Sequence, residues 1–345
     1  MTEPPSLSSR VRGGLIGLAV CDALGGPVEF KQRGTFPKVT SMLPNDNFGV
    51  GAGFFTDDTS MALCLGHSLV DCHGESKLVD QVRRYLDWWK NCYMSSTGKT
   101  FDIGVATLRA LETWSHELDA KYNHLQPDSV EAEEALREIE KKIRDTFSEE
   151  KYCGNGSLMR VLPAALIARS EPEAVELARE SSLTTHPHLR CVHACMIYAT
   201  IAYQALNGAS KTELAVSLGE TVNDGAGNVT DYDLEPELKD RLQRYRALAD
   251  WEGTAVEEIK SSGYVVDTLQ ASLWAFFKSN SFEEGAVLAV NLGDDADTVG
   301  AIYGGLAGAF YGIEQVPERW RRDLQRIDLV EELVEKILQF RATNV

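Results

Sequence analysis

Two kinds of regularity are missing from this chain. It has no convincing run of alternating β-branched and polar residues, and its seven cysteines include no Cys-x-x-Cys pair. The first absence argues against a β fold, whose strands need period-two patterning. The second, with an odd count and with Cys21 and Cys64 set in apolar runs, argues against a disulfide framework. A reducing compartment is expected, the cytoplasm, with the nucleus left open. No apolar stretch follows a basic one in Met1 to Arg10, so no signal peptide is expected. The most apolar run, Val299 to Ile313, is glycine-studded and too short to span a bilayer; it reads as a buried helix, and no membrane partner is expected. Positive charge is also scarce: 34 Lys and Arg stand against 52 Asp and Glu, a formal net charge of −18. Such a field repels a polyanion, which excludes a general nucleic-acid binder but leaves room for a local pocket holding one small phosphate ligand.

What is present is helical. Hydrophobic residues make up 43% and charged residues 25% of 345, the composition of a globular chain with a large core. Period-3.6 patterns run through Met61 to Val70, Val82 to Trp89, Val105 to Trp114, Val192 to Leu206 and Leu269 to Phe277. With no repeat and no obvious linker, they predict an all-α fold: one compact multi-helix domain over 11–345 behind an N-terminal tail, 1–10. Ala132 to Thr146 carries charge around most of its circumference and reads as a solvated helix with i, i+4 pairs, inside a charged insert from Leu118 to Tyr152. Asp224 to Pro236 reads as a loop.

Two glycine stripes stand out. Gly13, Gly17, Cys21 and Gly25 lie four apart, as do Gly300, Gly304, Gly308 and Gly312. Glycine costs about 1 kcal/mol against alanine inside a helix, so four in register predict a face where another backbone comes close, read here as tight helix packing. Two acidic clusters each sit at a helix N-terminus. Thr56-Asp57-Asp58-Thr59 precedes a helical pattern starting near Met61, and Asp294-Asp295-Ala296-Asp297-Thr298 precedes the second stripe. Acids at helix N-termini serve as caps, but one cap needs one residue. Several carboxylates beside an apolar helix repel one another unless a cation neutralises them, and hard divalent cations take such oxygens. With Glu29 after Gly25-Gly26-Pro27-Val28, there are oxygens enough for two metals; capping and metal binding stay open on spacing alone.

Other pieces are individually weak. Gly154-Asn155-Gly156-Ser157-Leu158-Met159-Arg160 is a small-residue turn opening a helix at Val161 to Ala168, able to offer backbone N–H groups to an anion. Arg160 would add charge or pair with a structural carboxylate. Thr185-His186 lies in a polar break, and His188 and His193 read as satisfied imidazoles. Zinc at Cys191, His193 and Cys195 is rejected, because i and i+2 on a helix diverge. Asp102, in Phe101-Asp102-Ile103-Gly104, reads as a cap for Val105 to Trp114 or as a proton-transfer group. Ser262-Gly263-Tyr264-Val265 offers a flexible turn and an aromatic ring.

In order, these motifs, together with Gly14-Leu15-Ile16-Gly17-Leu18-Ala19 and Asp22-Ala23-Leu24-Gly25, resemble the ADP-ribosylglycohydrolase family from about residue 11 to residue 313. The resemblance implies an all-α hydrolase with two Mg²⁺ or Mn²⁺ ions, acting on ADP-ribose carried by a modified protein. It implies Thr56, Asp57, Asp58, Asp295, Asp297 and Thr298 as metal ligands and Asp102, Asp58 and Glu29 as catalytic. Gly104, Asn155, Gly156, Ser157, Met159, His186 and Tyr264 would bind the substrate, the Gly154–Arg160 turn wrapping the diphosphate. The Phe-Asp-Ile-Gly form is similar to the arginine-directed branch, which implies an N-glycosidic substrate. Serine-linked or poly-ADP-ribose hydrolysis, or a non-catalytic crystallin-like relative, are the alternatives such a resemblance leaves.

Overall fold

The helical periodicity is realised from end to end. The computed structural model describes residues 4–127, 129–224 and 234–343. Its sixteen α-helices begin with α1 (Leu7–Gly25), α2 (Asp57–Asp71), α3 (Leu78–Asn91), α4 (Val105–Glu117), α5 (Val130–Phe147), α6 (Leu162–Ile167), α7 (Glu171–Leu183) and α8 (Leu189–Leu206). They continue with α9 (Lys211–Asp224), α10 (Pro236–Leu242), α11 (Leu248–Gly253), α12 (Val265–Lys278), α13 (Phe282–Val290), α14 (Ala296–Tyr311), α15 (Glu318–Asp323) and α16 (Ile327–Thr343). Among the described residues the only β-pairings are two isolated bridges, Asn45 with Val50 and Gly154 with Tyr264. The loop expected over 224–236 falls largely on 225–233, outside the described residues.

The two glycine stripes meet each other. A Cβ placed on Gly17 would overlap the carbonyl of Gly304, and one on Gly304 the carbonyl of Gly17. Gly13 faces Gly308 in the same way, Gly300 faces Cys21, and Gly25 faces Ala296 and Asp297. The register is antiparallel, so the C-terminal end of α1 is pinned to the N-terminal end of α14. This seam is the centre of the core, and α2, α6, α8, α12, α13 and α16 pack around it.

Two sequence expectations change. The tail is shorter than 1–10: α1 starts at Leu7, capped by Ser6, whose Oγ accepts from Ser9 N–H at 3.1 Å. Arg10 is buried and donates to the carbonyls of Ala205 and Ala309, each at 3.1 Å, closing the ends of α8 and α14. The apolar run 299–313 is largely buried in α14 as expected, but a second segment, Leu7–Val28, has the length of a membrane span; 94% of its apolar window is buried by protein, so it serves as core. The insert is more than a solvated helix. Ala132, Ile139, Ile143 and Phe147 of α5 are buried with Val82, Ala110, Trp114, Leu118, Tyr122 and Tyr152 in a small core of their own. Its charges cover only the outer face. Trp114 Nε1 donates to Thr184 O at 2.7 Å, tying this lobe to the segment that carries His186.

Candidate active site

Where the seam ends, the acids begin. Asp22, fully buried near the end of α1, accepts from the backbone N–H and hydroxyl of Thr56, both at 2.9 Å. Its other oxygen accepts from Thr59 N–H at 3.1 Å and the Thr59 hydroxyl at 2.5 Å. Asp22 therefore fastens the first turn of α2 to α1. That turn starts at Asp57, four residues before the expected Met61, so Asp57 and Asp58 lie inside the helix. Thr56 is the N-cap of α2 and Asp295 that of α14, yet neither makes a side-chain capping bond. The capping reading fails for both clusters.

The clusters converge instead. Oxygens of Asp22, Asp58 and Asp297 lie within 4.8 Å of one another, and so do those of Glu29, Asp295 and Asp297. Asp297 belongs to both groups. Asp57 stands just outside both. Thr298 Oγ1 lies 3.4 Å from Asp58 Oδ2. Asp22 is saturated by its four donors and is better read as a positioning residue than as a ligand. The other carboxylates are short of partners: Glu29 Oε2, Asp58 Oδ1 and Asp102 Oδ2 are buried without a hydrogen bond. Among the described residues no Lys, Arg or His forms an ion pair with any of them.

The physical consequence is a strong preference for the neutral forms while no cation is bound. Burial pushes Glu29 up to about 10, with Asp102, Asp295 and Asp58 adding repulsion. Burial also lifts Asp57, Asp58 and Asp297 well above the carboxylate range, and their acidic neighbours lift them further. Asp295 is raised by burial against the bond from Asn155, and Asp102 reaches about 7. Converging, orphaned, all-oxygen donors on both sides of a shared Asp297 fit hard divalent cations. Neither group contains the histidine nitrogen or cysteine sulfur that softer metals prefer.

Above the acids opens a cavity of about 710 Å³. Its wall includes Glu29, Asp57, Asp102, Gly104, Asn155, Gly156, Met159, His186, Asp295, Asp297 and Thr298, so the structure brings these residues together. Thr56 and Asp58 lie beneath the wall. Ser157 and Tyr264 do not line it. The Ser157 hydroxyl turns inward, bonded to Ser182 Oγ at 2.8 Å and Cys195 Sγ at 3.4 Å. Tyr264 is the N-cap of α12, with the Arg190 guanidinium 5.7 Å from its ring centre.

Several side chains have clearer roles here than in the sequence. Asp102 is no cap: Gly104 holds that position on α4, and Asp102 sits in the left-handed region with φ 64°. Asn155 donates to Asp295 Oδ2 at 2.5 Å and Thr268 Oγ1 at 3.0 Å, so its amide holds an acid in place. A Cβ on Gly156 would meet Thr107 Oγ1 at 2.7 Å and His186 Cε1 at 2.8 Å, so only glycine fits that turn. Arg160 neither reaches the cavity nor pairs with a carboxylate. Fully buried, it donates to Gly156 O, Ser181 O and the hydroxyls of Thr184 and Thr185 at 2.8–3.1 Å. It thereby locks the glycine turn to the His186 segment. Burial, with Arg160 nearby, drops His186 to about 3, so its imidazole is neutral. His188 caps α8, accepting from Arg190 N–H at 3.1 Å, and His193 Nδ1 accepts from Glu235 N–H at 3.0 Å; both are satisfied imidazoles. The positioning role of Asp22 is not evident from its motif. Its signal was a lone acid in the apolar run Leu15 to Leu24.

Comparison with known proteins agrees with this construction. The ADP-ribosylglycohydrolase family matches over residues 3–344, and the chain belongs to that family. It is 34% identical over 319 residues to the "ADP-ribosylarginine hydrolase Tri1" of Pseudomonas putida, covering 92% of this chain and 74% of that protein. It is 28% identical over 330 residues to the "ADP-ribosyl-[dinitrogen reductase] glycohydrolase" of Rhodospirillum rubrum, covering 94% and 92%. A solved structure titled "ADP-ribosylglycohydrolase-related protein complex" superposes with a TM-score of 0.74 at 36% identity, covering 97% of this chain and 98% of that one.

Proposed function

We propose that this family hydrolase removes ADP-ribose from arginine side chains of proteins, with two magnesium or manganese ions as cofactors. The observation that carries the linkage is Asp102, a half-buried residue on the cavity wall whose Oδ2 is buried and bonded to nothing, close to Gly104, whose missing side chain leaves open space. The relatives from P. putida and R. rubrum, named as hydrolases of ADP-ribosylarginine and of an ADP-ribosylated reductase, support the same reading.

Thr56, Asp57, Asp58, Asp295, Asp297 and Thr298 would hold the ions, with Glu29 close to the Asp295–Asp297 pair. Bound divalent cations supply Lewis-acid charge and orient hydroxyl-bearing ligands. The chain's own groups do the rest. The backbone N–H of Gly156, on the cavity wall, donates to no acceptor among the described residues and is free for the diphosphate, with Ser157 behind it shaping the turn. Binding energy from that remote end then aligns the reacting bond. In hydrolysis, water oxygen joins the anomeric carbon and gives up a proton to a neighbouring carboxylate, the C–N bond to the guanidine breaks, and the departing nitrogen takes a proton. Asp102 is the group placed to hand over that proton, and the surrounding carboxylates favour the oxocarbenium character of the ring.

The test is release of ADP-ribose from arginine-linked and serine-linked conjugates by purified protein, with magnesium, with manganese and with a chelator. Arginine release that is the faster and is lost on chelation is expected. Faster release from serine would overturn the linkage assignment.

A further inference from the structure

Three phenylalanines stand ring against ring, and the row reaches the cavity wall at Phe30. Phe30 follows Glu29, Phe101 precedes Asp102, and Phe48 links them, with ring centres 6.4 Å from Phe30 and 5.4 Å from Phe101. Phe30 also lines the cavity, and it is 69% exposed. A lone exposed apolar side chain is ordinary on a protein surface, but Phe30 is one end of a contiguous aromatic patch beside a cavity, and such patches mark binding surfaces. Its backbone is unusual as well: φ is 62°, a conformation that bulky residues avoid. Hydrogen bonds hold it there. Phe30 N–H donates to Asp294 O at 2.6 Å, and Asp294 N–H returns to Lys31 O at 2.8 Å. Asn47 Nδ2 donates to Glu29 O at 3.1 Å, which brings the Phe48 loop against this segment. The fold thus fixes an aromatic rim directly beside two acids.

We infer that Phe30, Phe48 and Phe101 form the seat for the guanidinium of the modified arginine, the leaving-group side of the reaction. This rests on the arginine-linkage reading above and adds the residues that would select for it. Aromatic faces attract planar guanidinium groups, and more so when carboxylates lie at the rim. Adenine, the other flat group of the substrate, is neutral and has no use for that field. The diphosphate joined to it is repelled by Glu29 and Asp102 and is better served at the Gly156 turn. Lys151 is the cation on the cavity wall, and it is paired with Glu149 at 2.8 Å.

The experiment uses Phe30→Leu with Phe48→Leu, and Phe30→Trp as the conservative control, with manganese present. KM for an ADP-ribosylated arginine peptide and Kd for free ADP-ribose are measured side by side. The double variant is expected to raise KM by about 2–30-fold, the range of one cation–π contact, while Kd for ADP-ribose moves less than about twofold and Phe30→Trp keeps wild-type KM. An unchanged KM would remove the seat. An equal loss of ADP-ribose affinity would also remove it and make the rim a nucleotide contact. Wild-type protein inactive on arginine conjugates would bring down the linkage reading and the seat with it. An active wild type matched by the double variant brings down the seat alone.

Discussion

The lobe built on α5 and the floor of the cavity are both crowded with carboxylates, and they handle them in opposite ways. On the lobe the acids are either exposed to water or paired with a cation within a turn or across one helix: Arg137 with Glu133 at 3.0 Å, Lys141 with Asp145 at 2.6 Å, Lys121 with Glu138 at 3.0 Å. On the floor Glu29, Asp57, Asp58, Asp102, Asp295 and Asp297 have no such partner among the described residues. The lobe is electrostatically complete in itself. The floor becomes complete only when charge arrives from outside, and its burial makes the shortfall expensive. Removing an acid should therefore cost little on the lobe and should abolish function on the floor.

The largest effect is expected at Asp58, which is 1% exposed and has one oxygen with no partner. Asp58→Ala should lose nearly all turnover. Its melting temperature without added metal should equal or exceed that of wild type, because like-charge repulsion is relieved. The rise that manganese gives wild type, about 2.7 kcal/mol at a hundred times Kd, should be missing. Thermal shift and an ADP-ribose release assay on the same samples check both. A variant that is less stable without metal yet still responds to manganese would mean that the floor is not short of charge.

Next is Asp102, on the same floor but outside both tight groups. Asp102→Asn keeps the shape and a residue that tolerates positive φ, so the backbone should hold. General acid assistance is worth about 10²–10⁴-fold, and kcat should fall within that range with affinity for ADP-ribose little changed. Wild-type kinetics would make the carboxylate structural.

How far this contrast could be seen in the sequence depends on range. The helices were legible because apolar periodicity is local, and both acidic clusters stood out because several acids at one helix start exceed what a cap needs. Contacts between distant segments were not legible. The two glycine stripes announced close approach, but not that each is the other's partner, and that pairing is what brings Asp22 and Glu29 to Asp297. Arg160 and Ser157 sit in a turn whose sequence suits an anion, yet their side chains face the core. The lobe's small core was hidden because α5 takes its apolar partners from α3 and α4, so its own pattern looked like charge all round. The Phe30–Phe48–Phe101 wall joins three separate loops, and no spacing rule links them.

The floor's repulsion also depends on a frame that cannot relax, which makes the seam the next place to press. A Cβ on Gly304 would overlap Gly17 O and come within 2.8 Å of Cys21 Cβ, and no flexible side-chain end lies there to give way. Gly304→Ala should part α1 from α14 and destabilise by about 1–3 kcal/mol, the range for overpacking. Manganese affinity should weaken with it, since Asp22 and Asp297 ride on the two helices. Chemical denaturation and metal titration measure the two effects. Lost stability with unaltered metal affinity would separate the seam from the site.

The smallest effect is expected at Glu117, the lobe acid that most resembles those of the floor. It is 4% exposed, yet Lys142 reaches it at 2.6 Å and Lys121 at 3.4 Å, with His116 at 3.3 Å. Burial alone would raise its pKa, but the bond from Lys142 comes first, and the net shift is downward. A carboxyl whose folded pKa lies below its unfolded value of about 4.5 adds stability above pH 4.5 and loses it as pH falls through the folded value. Glu117→Gln should therefore cost about 1 kcal/mol or less at pH 7, because the lysine ends of these pairs stay solvated. The gap between variant and wild type should close progressively below pH 4.5 and leave ADP-ribose release unaltered at pH 7. Urea midpoints across that range read it directly. A gap that persists at pH 3 would mean that Gln fails by shape rather than by charge. One that widens toward acid would show Glu117 to be destabilised by its burial, as the floor carboxylates are, and the division between the two regions would then rest on depth alone rather than on the presence of a cation.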